Sequence, residues 1–427
     1  MRAGIASRAA NVCLRGIALS ARFVLIFSLA RFLEPAEVGL YGLVFVTITY
    51  VQYALGMDFC IWANRELIAA DRERWTALLR DQGVFYLLTY AVVLPLAILL
   101  FAFDVLPWKV AGWFFVLLVL EHVAHELSRI LIATSQPVLA TTMLFLRAGV
   151  WVLVLVPLMW IEPAARSLNY VFFGWTLGAL LACLLGAGRL AAAGSWDLRR
   201  AVDWRWLWSG LRVAAPLLVA TLCLKGLTTF DRYWIESIAG LEVLGAYVLF
   251  VGIANAIKAF LDAGIFVFSY PSLIRAAHAA DEPAFRGGMR RLAWQTGAAS
   301  VVLLGASLVL IQPLLSWVDR PIYGEHVVLL YWSLAAVALY AAGAVFHYGI
   351  YAHRMDYVIV LSHAASLIVF VLSAAALVPL LGVVAVPVAL CFAYGLILIW
   401  KLSTYLRIRF GGGAVAPREK TTPLAAG

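Results

Sequence analysis

Eight arginines and lysines stand inside apolar runs where hydrocarbon should surround them: Arg15, Arg22, Arg31, Arg129, Arg147, Lys225, Arg232 and Lys258. A charge at mid-membrane costs about 2.5–3.5 kcal/mol on insertion scales, so each needs water or a partner. Arg31 lies at the end of its run and reaches the surface by snorkelling. Arg8, Arg15 and Arg22 are spaced by seven. Two helical turns are about 7.2 residues, so the three form one stripe. Arg15 can snorkel or face a cavity, whereas Arg22, about eleven residues into its run, is placed for a cavity. An excess of fixed positive charge in a low-dielectric cavity attracts an anion. The guanidinium fork suits phosphate, because it bonds two oxygens at once.

The run EHVAHELSR, residues 121–129, holds three i,i+4 pairs able to partner one another: Glu121/His125, His122/Glu126 and His125/Arg129. A zinc-hydrolase HExxH pattern needs its histidines four apart, and these stand three apart, which argues against zinc hydrolysis. The run reads as a titratable face toward a cavity, where histidine can move protons. Further on, LKGLTTFDRYWIES sets Lys225 and Arg232 seven apart with Asp231 beside them, and Lys258 and Asp262 form another i,i+4 pair. These charges either neutralise one another and fix helix packing, or line a cavity in which cations outnumber acids. Asp58, Glu121, Glu126 and Asp262 are the acids placed to couple movement to protons or sodium. The cysteines (13, 60, 183, 223 and 391) are scattered singly in apolar runs, which points away from disulfides and zinc. No metal, cofactor or catalytic residue is expected.

Such charges are positioned by membrane spans. The chain of 427 residues is 64% hydrophobic and 13% charged, with a mean hydropathy of +0.95. A soluble domain is about half apolar and a quarter charged, so the solvent here is lipid. Runs of about twenty residues, each able to cross about 30 Å of hydrocarbon, fall at approximately 11–33, 38–62, 82–103, 111–134, 138–160 and 168–192. A second set falls near 211–238, 243–271, 292–312, 326–351, 357–378 and 382–402. With the N-terminus inside, the cytoplasmic gaps and ends carry 21 Arg or Lys residues, Arg80 and Lys401 among them, against Lys109, Arg166 and Arg320 opposite. That bias sets both termini in the cytoplasm. The net charge of +9 is thus a topology signal and gives no support to nucleic-acid binding. Arg15 and Arg22 interrupt any signal-peptide core, so the first run is expected to be retained as a span.

A short polar hinge is written twice, as FLEPAEVGLYGLVFVTI at 32–48 and IAGLEVLGAYVLFVGI at 238–253. Gly39 and Tyr41 match Gly245 and Tyr247 at an offset of 206, and Asp58 and Asp262 sit at similar depth. The expected fold is all-α, with about twelve transmembrane helices in two six-helix lobes. Pseudo-twofold symmetry relates the lobes around a central cavity. The expected lobes are 1–192 and 211–402, joined by a cytoplasmic linker at 193–210. Within it, WDLRRAVDWRWLW (196–208) reads as an interfacial helix anchored by its indoles. Residues 403–427 read as a flexible cytoplasmic tail. Each hinge is expected to be an outer elbow whose glycines permit tight closure.

On these motifs the chain resembles the Wzx-like O-antigen and exopolysaccharide flippases of the multidrug/oligosaccharidyl-lipid/polysaccharide superfamily. LARFLEPAEVGLYGLV, FDRYWIESIAGLEVLGAYVLF and the basic loop after the second span carry the likeness. The resemblance implies alternating access in a bacterial inner membrane, moving undecaprenyl-pyrophosphate-linked oligosaccharide between leaflets. It implies that Arg22, Arg147, Asp231 and Arg232 line the cavity, and that glycan polymerase or glycosyltransferase machinery works alongside. A membrane-embedded ligase or polymerase is the rival from another class, and it would need a larger outer loop than 313–326 offers. A multidrug exporter of the same superfamily would need an acid-dominated cavity. A scaffold leaves the buried charges unexplained.

Overall fold

In lipid every backbone polar group must be satisfied within the chain, so long apolar runs fold as helices. A computed structural model describes residues 2–192, 201–353 and 355–410, and these hold helices and no strand. The first half contains α1 (Arg2–Phe32), α2 (Pro35–Gly56), α3 (Phe59–Ala69), α4 (Arg72–Ala102), α5 (Ala111–Ala133), α6 (Pro137–Phe145), α7 (Trp151–Ile161) and α8 (Leu168–Ala191). The second contains α9 (Trp204–Leu261), α10 (Val267–His278), α11 (Glu282–Val318), α12 (Pro321–Glu325), α13 (Val328–Ala352), α14 (Asp356–Leu381) and α15 (Ala385–Phe410).

Among the described residues, ten continuous helical stretches are apolar enough to cross a bilayer, and two of them run 75 and 53 residues. At about 1.5 Å per residue, each of those two covers the hydrocarbon twice. Gly240 breaks the first (φ 77°, ψ −177°), a conformation that needs glycine. Gly382 (φ 54°) turns the second. The result is twelve crossings in two six-helix lobes.

Two local expectations differ. Residues 196–200 of the expected interfacial helix lie outside the described residues, and from Trp204 onward the segment is the first turn of α9. The indole of Trp206 packs edge-on against Phe59 of α3, centroids 5.4 Å apart, while Trp204 and Trp208 stay exposed. Of the expected tail, 403–410 continue α15 as helix, and 411–427 lie outside the described residues.

The two hinges meet. A Cβ on Gly39 would overlap the Leu241 carbonyl and sit 3.1 Å from the Gly245 nitrogen, and one on Gly245 would overlap the Pro35 carbonyl. A Cβ on Gly42 would strike the side chain of Val248. The glycines therefore act between lobes, one helical turn beyond the elbows, with each copy of the motif packed on the other. Around them Arg320 grips Glu34 at 3.1 Å, the Arg31 guanidinium bonds the Trp317 carbonyl, and Trp160 stacks near Trp317. Arg31 thus has a protein partner at the hinge end, where snorkelling to the surface was expected. Beneath this hinge end one core cluster joins both lobes through residues such as Leu29, Val44, Tyr247 and Phe250. The opposite, terminal end carries the start of α1 and the end of α15.

Candidate substrate cavity

Arg22 lies ten residues from the hinge end of α1, about 15 Å deep, and Glu121 lies at about the same depth in α5. Arg22 is exposed to solvent, yet it is within electrostatic reach of Arg147, Glu121 and Tyr41, on three other helices. An accessible side chain with ionisable groups of three other helices around it stands in an opening among those helices. Arg147 stands in a π-helical segment, Leu146–Val150, between α6 and α7. Such segments insert one residue and re-aim their side chains. Here the freed Arg147 carbonyl accepts from the Trp151 indole at 2.9 Å, while the guanidinium lies 3.4 Å from the Glu121 carboxylate. The other Glu121 oxygen accepts from the Trp175 indole at 2.7 Å. One carboxylate thus stands between two arginines.

The rest of the EHVAHELSR run finds partners on neighbouring helices, which corrects the expected pairing along α5. Tyr86 donates to Glu126 at 2.5 Å and itself accepts from Gln82 at 2.8 Å. His122 Nδ1 meets the Tyr90 hydroxyl at 2.6 Å, and Arg129 donates to the Cys60 sulfur. The reason is helical geometry: α4 and α3 cover that face and offer shorter contacts than the next turn of α5. Among the described residues, Nε2 of His122 and of His125 have no hydrogen-bond partner.

Lys225 bridges the lobes. Its ammonium lies 5.1 Å from the ring centroid of Tyr53, and it acts electrostatically on His125 in the first lobe and on Lys258 and Asp262 in the second. Lys258 rests over the Tyr340 ring at 3.8 Å. Asp58 and Asp262 sit at matching irregularities. Asp58 has φ 50° between α2 and α3 and accepts from Thr221 at 2.7 Å, while Asp262 opens a π-helical segment, Asp262–Phe266. Arg15 is exposed on α1.

Asp231 and Arg232 stand apart from this cavity. They are 1% and 5% exposed, paired at 3.2 Å, with Asp231 also accepting from Tyr247 at 2.8 Å and Arg232 donating to the Thr228 carbonyl. The pair neutralises itself and ties together the two arms of α9. Without it, the cavity candidates from the sequence are the six cations Arg15, Arg22, Arg129, Arg147, Lys225 and Lys258 and the four acids Asp58, Glu121, Glu126 and Asp262. At ordinary charges the excess is two positive.

Sequence reasoning missed several partners. Trp175, Tyr86 and Tyr90 gave no signal among so many aromatics. Arg80 and Lys401, counted as flanking cations, are both buried. Arg80 pairs with Asp81 at 2.5 Å and holds the Ala201 carbonyl at 2.9 Å. Lys401 lies between two histidines. A separate lateral pocket of about 770 Å³ opens between the lobes, lined mainly by Tyr50, Leu100, Phe230, Trp234 and Phe370.

No family model and no curated protein matches the chain. Solved structures do. The chain is similar to the inward-facing conformation of a multidrug resistance MATE family transporter of the MOP superfamily, at TM-score 0.72 and 14% identity, covering 94% of this chain and 96% of that one. For the outward-facing conformation of a MATE family transporter the values are 0.60 and 16%, covering 94% and 95%. A MOP superfamily transporter from Pyrococcus furiosus, reported with a binding pocket of reverse polarity, gives 0.59 and 15%, covering 94% and 96%. These likenesses establish the fold, that of MOP superfamily transporters.

Proposed function

We propose that the chain is an alternating-access transporter that carries an undecaprenyl-pyrophosphate-linked oligosaccharide across a bacterial inner membrane. The observation that carries this reading is the cavity's excess of positive charge, with Arg22 solvated at mid-membrane beside Arg147. Pyrophosphate oxygens would replace the Glu121 carboxylate on these arginines, with the sugars in the lumen toward Lys225 and Lys258. The lateral pocket, apolar and open between lobes, suits a prenyl tail. The closed hinge end supports an inward-facing state, and so does the higher similarity to the inward-facing neighbour. Both termini would then be cytoplasmic. The moving bodies are residues 1–192 and 211–402, with 193–210 as the linker, and the transporter serves glycan polymerase and glycosyltransferase machinery.

The test is surface-glycan display in cells lacking the gene, complemented with wild type, Arg22→Gln or Arg147→Gln at matched membrane levels. Restoration by wild type and failure by both variants, with lipid-linked glycan held on the inner leaflet, supports the reading. Normal translocation without the protein overturns it.

A second reading, export of organic cations, draws support from the acids Glu121, Glu126 and Asp58 and from the neighbours named as multidrug transporters. It predicts ethidium retention in the deletion strain with glycan unaffected.

A further inference from the structure

Three basic nitrogens meet inside the second lobe, on three different helices. Lys401 Nζ of α15 lies 3.2 Å from His347 Nδ1 of α13 and 3.2 Å from His363 Nε2 of α14. The two imidazole rings face each other nearly parallel, at 13°, with centroids 6.4 Å apart. Lys401 is 3% exposed and His363 7%. Among the described residues no carboxylate bonds any of the three. Tyr348 and Tyr351 stand against His347 on its own helix. From α9, Lys258 acts electrostatically on His363, and Asp262 in turn acts on Lys258. Ser362 and Ser366 are buried nearby and bond backbone carbonyls of α14.

A buried charge is normally held by an opposite charge. Here two neutral bases do the holding. Each N···N contact needs one donor and one acceptor, and two arrangements satisfy both. In one, the Lys401 ammonium donates to both ring nitrogens. In the other, the neutral amine donates its two N–H groups, one to each ring nitrogen, with both tautomers unchanged. The two arrangements differ by one proton. A second proton would set two donors against each other at contact distance.

We propose that Lys401, His347 and His363 form a one-proton site in the second lobe, linked through Lys258 to anion occupancy of the cavity. The linkage rests on the cationic-cavity reading, whereas the proton site does not. The proton comes from water and returns to it. Its arrival adds one positive charge beside Lys258, so an anion held near Lys258 and Lys225 favours proton uptake. By reciprocity the proton favours the anion. Its loss replaces two charge-assisted bonds among α13, α14 and α15 by two neutral, weaker ones, which gives the lobe two bonding states.

The test is solid-state NMR of the full chain in lipid bilayers with 15N-labelled lysine and histidine, titrated from about pH 5 to 9, the range that brackets ordinary histidine. With five lysines and seven histidines in the sequence, Lys401→Met and His347→Gln suffice for assignment. The expected result is a loss of one proton from the cluster, seen at a single midpoint as a change at Lys401 Nζ together with the two ring nitrogens it bonds. Three independent titrations, or no change across the range, would overturn the site. In Lys258→Gln the midpoint moves to higher pH by about 0.3 units or more, since a neighbouring positive charge is gone. An unmoved midpoint overturns the linkage. Inorganic pyrophosphate raises the wild-type midpoint, and pyrophosphate that binds without moving it likewise overturns the linkage. Failure of pyrophosphate to bind, with the proton exchange intact, counts against the cavity reading and leaves the proton site standing.

Discussion

Glu121 stands between Arg147, which it pairs with, and Arg22, which the proposed reading gives to the substrate. Arg147 and Glu121 are 14% and 10% exposed at their side chains and face each other at 3.4 Å. Arg147→Met therefore leaves a carboxylate short of its counter-charge, at a cost of about 1–3 kcal/mol. A thermal melt in detergent should show the loss, and the double variant with Glu121→Gln should recover most of it. Arg22 is solvated, so Arg22→Gln should leave the melt within about 0.5 kcal/mol of wild type while weakening retention of pyrophosphate. Both arginines were legible in the sequence, because a guanidinium in the middle of an apolar run is costly wherever it points. Their partners were not: an i,i+4 spacing permits a pair, but a shorter contact to another helix wins, as Tyr86 does for Glu126. Lys401 was read as a flanking cation because basic residues follow it, although its place inside α15 made it another intramembrane charge.

The duplicated hinge carries the argument for the elements. Its two copies were legible as a repeat, and the repeat implied the pseudo-twofold. That the copies touch was not legible, since equivalence by symmetry does not specify contact. Backbone carbonyls stand where a Cβ would go at Gly39 and Gly245, so neither neighbour can swing aside. Gly39→Ala or Gly245→Ala should therefore part the lobes at the hinge end, at a cost of about 1–3 kcal/mol. A cysteine placed at the hinge end would then be labelled by an impermeant maleimide several-fold faster. Gly297, with open space around it, is the control: Gly297→Ala should be neutral or gain about 0.5–1 kcal/mol. That α9 begins at Trp204 and seats Trp206 on Phe59 escaped the sequence reading, because the contact comes from a helix far away in the chain.

For the whole molecule, the hinge-end latch and the arginines below it are, on the proposed reading, one state of an alternating cycle. The Glu34–Arg320 pair sits at the exposed rim and should be worth under about 1 kcal/mol, so it holds a state without trapping it. Joining those positions as a Glu34→Cys/Arg320→Cys disulfide should arrest transport, and reduction should restore it. The fold was legible from hydropathy and repeat alone. The substrate is the claim that most needs direct measurement. Purified protein in liposomes would be given a fluorescent undecaprenyl-pyrophosphate-linked oligosaccharide, with protection from a membrane-impermeant quencher read over time. The account predicts protein-dependent movement between leaflets that falls about tenfold or more in Arg22→Gln and Arg147→Gln, equivalent to about 1.4 kcal/mol of lost interaction. Movement indifferent to both substitutions, or none at all while an organic cation crosses, would contradict it.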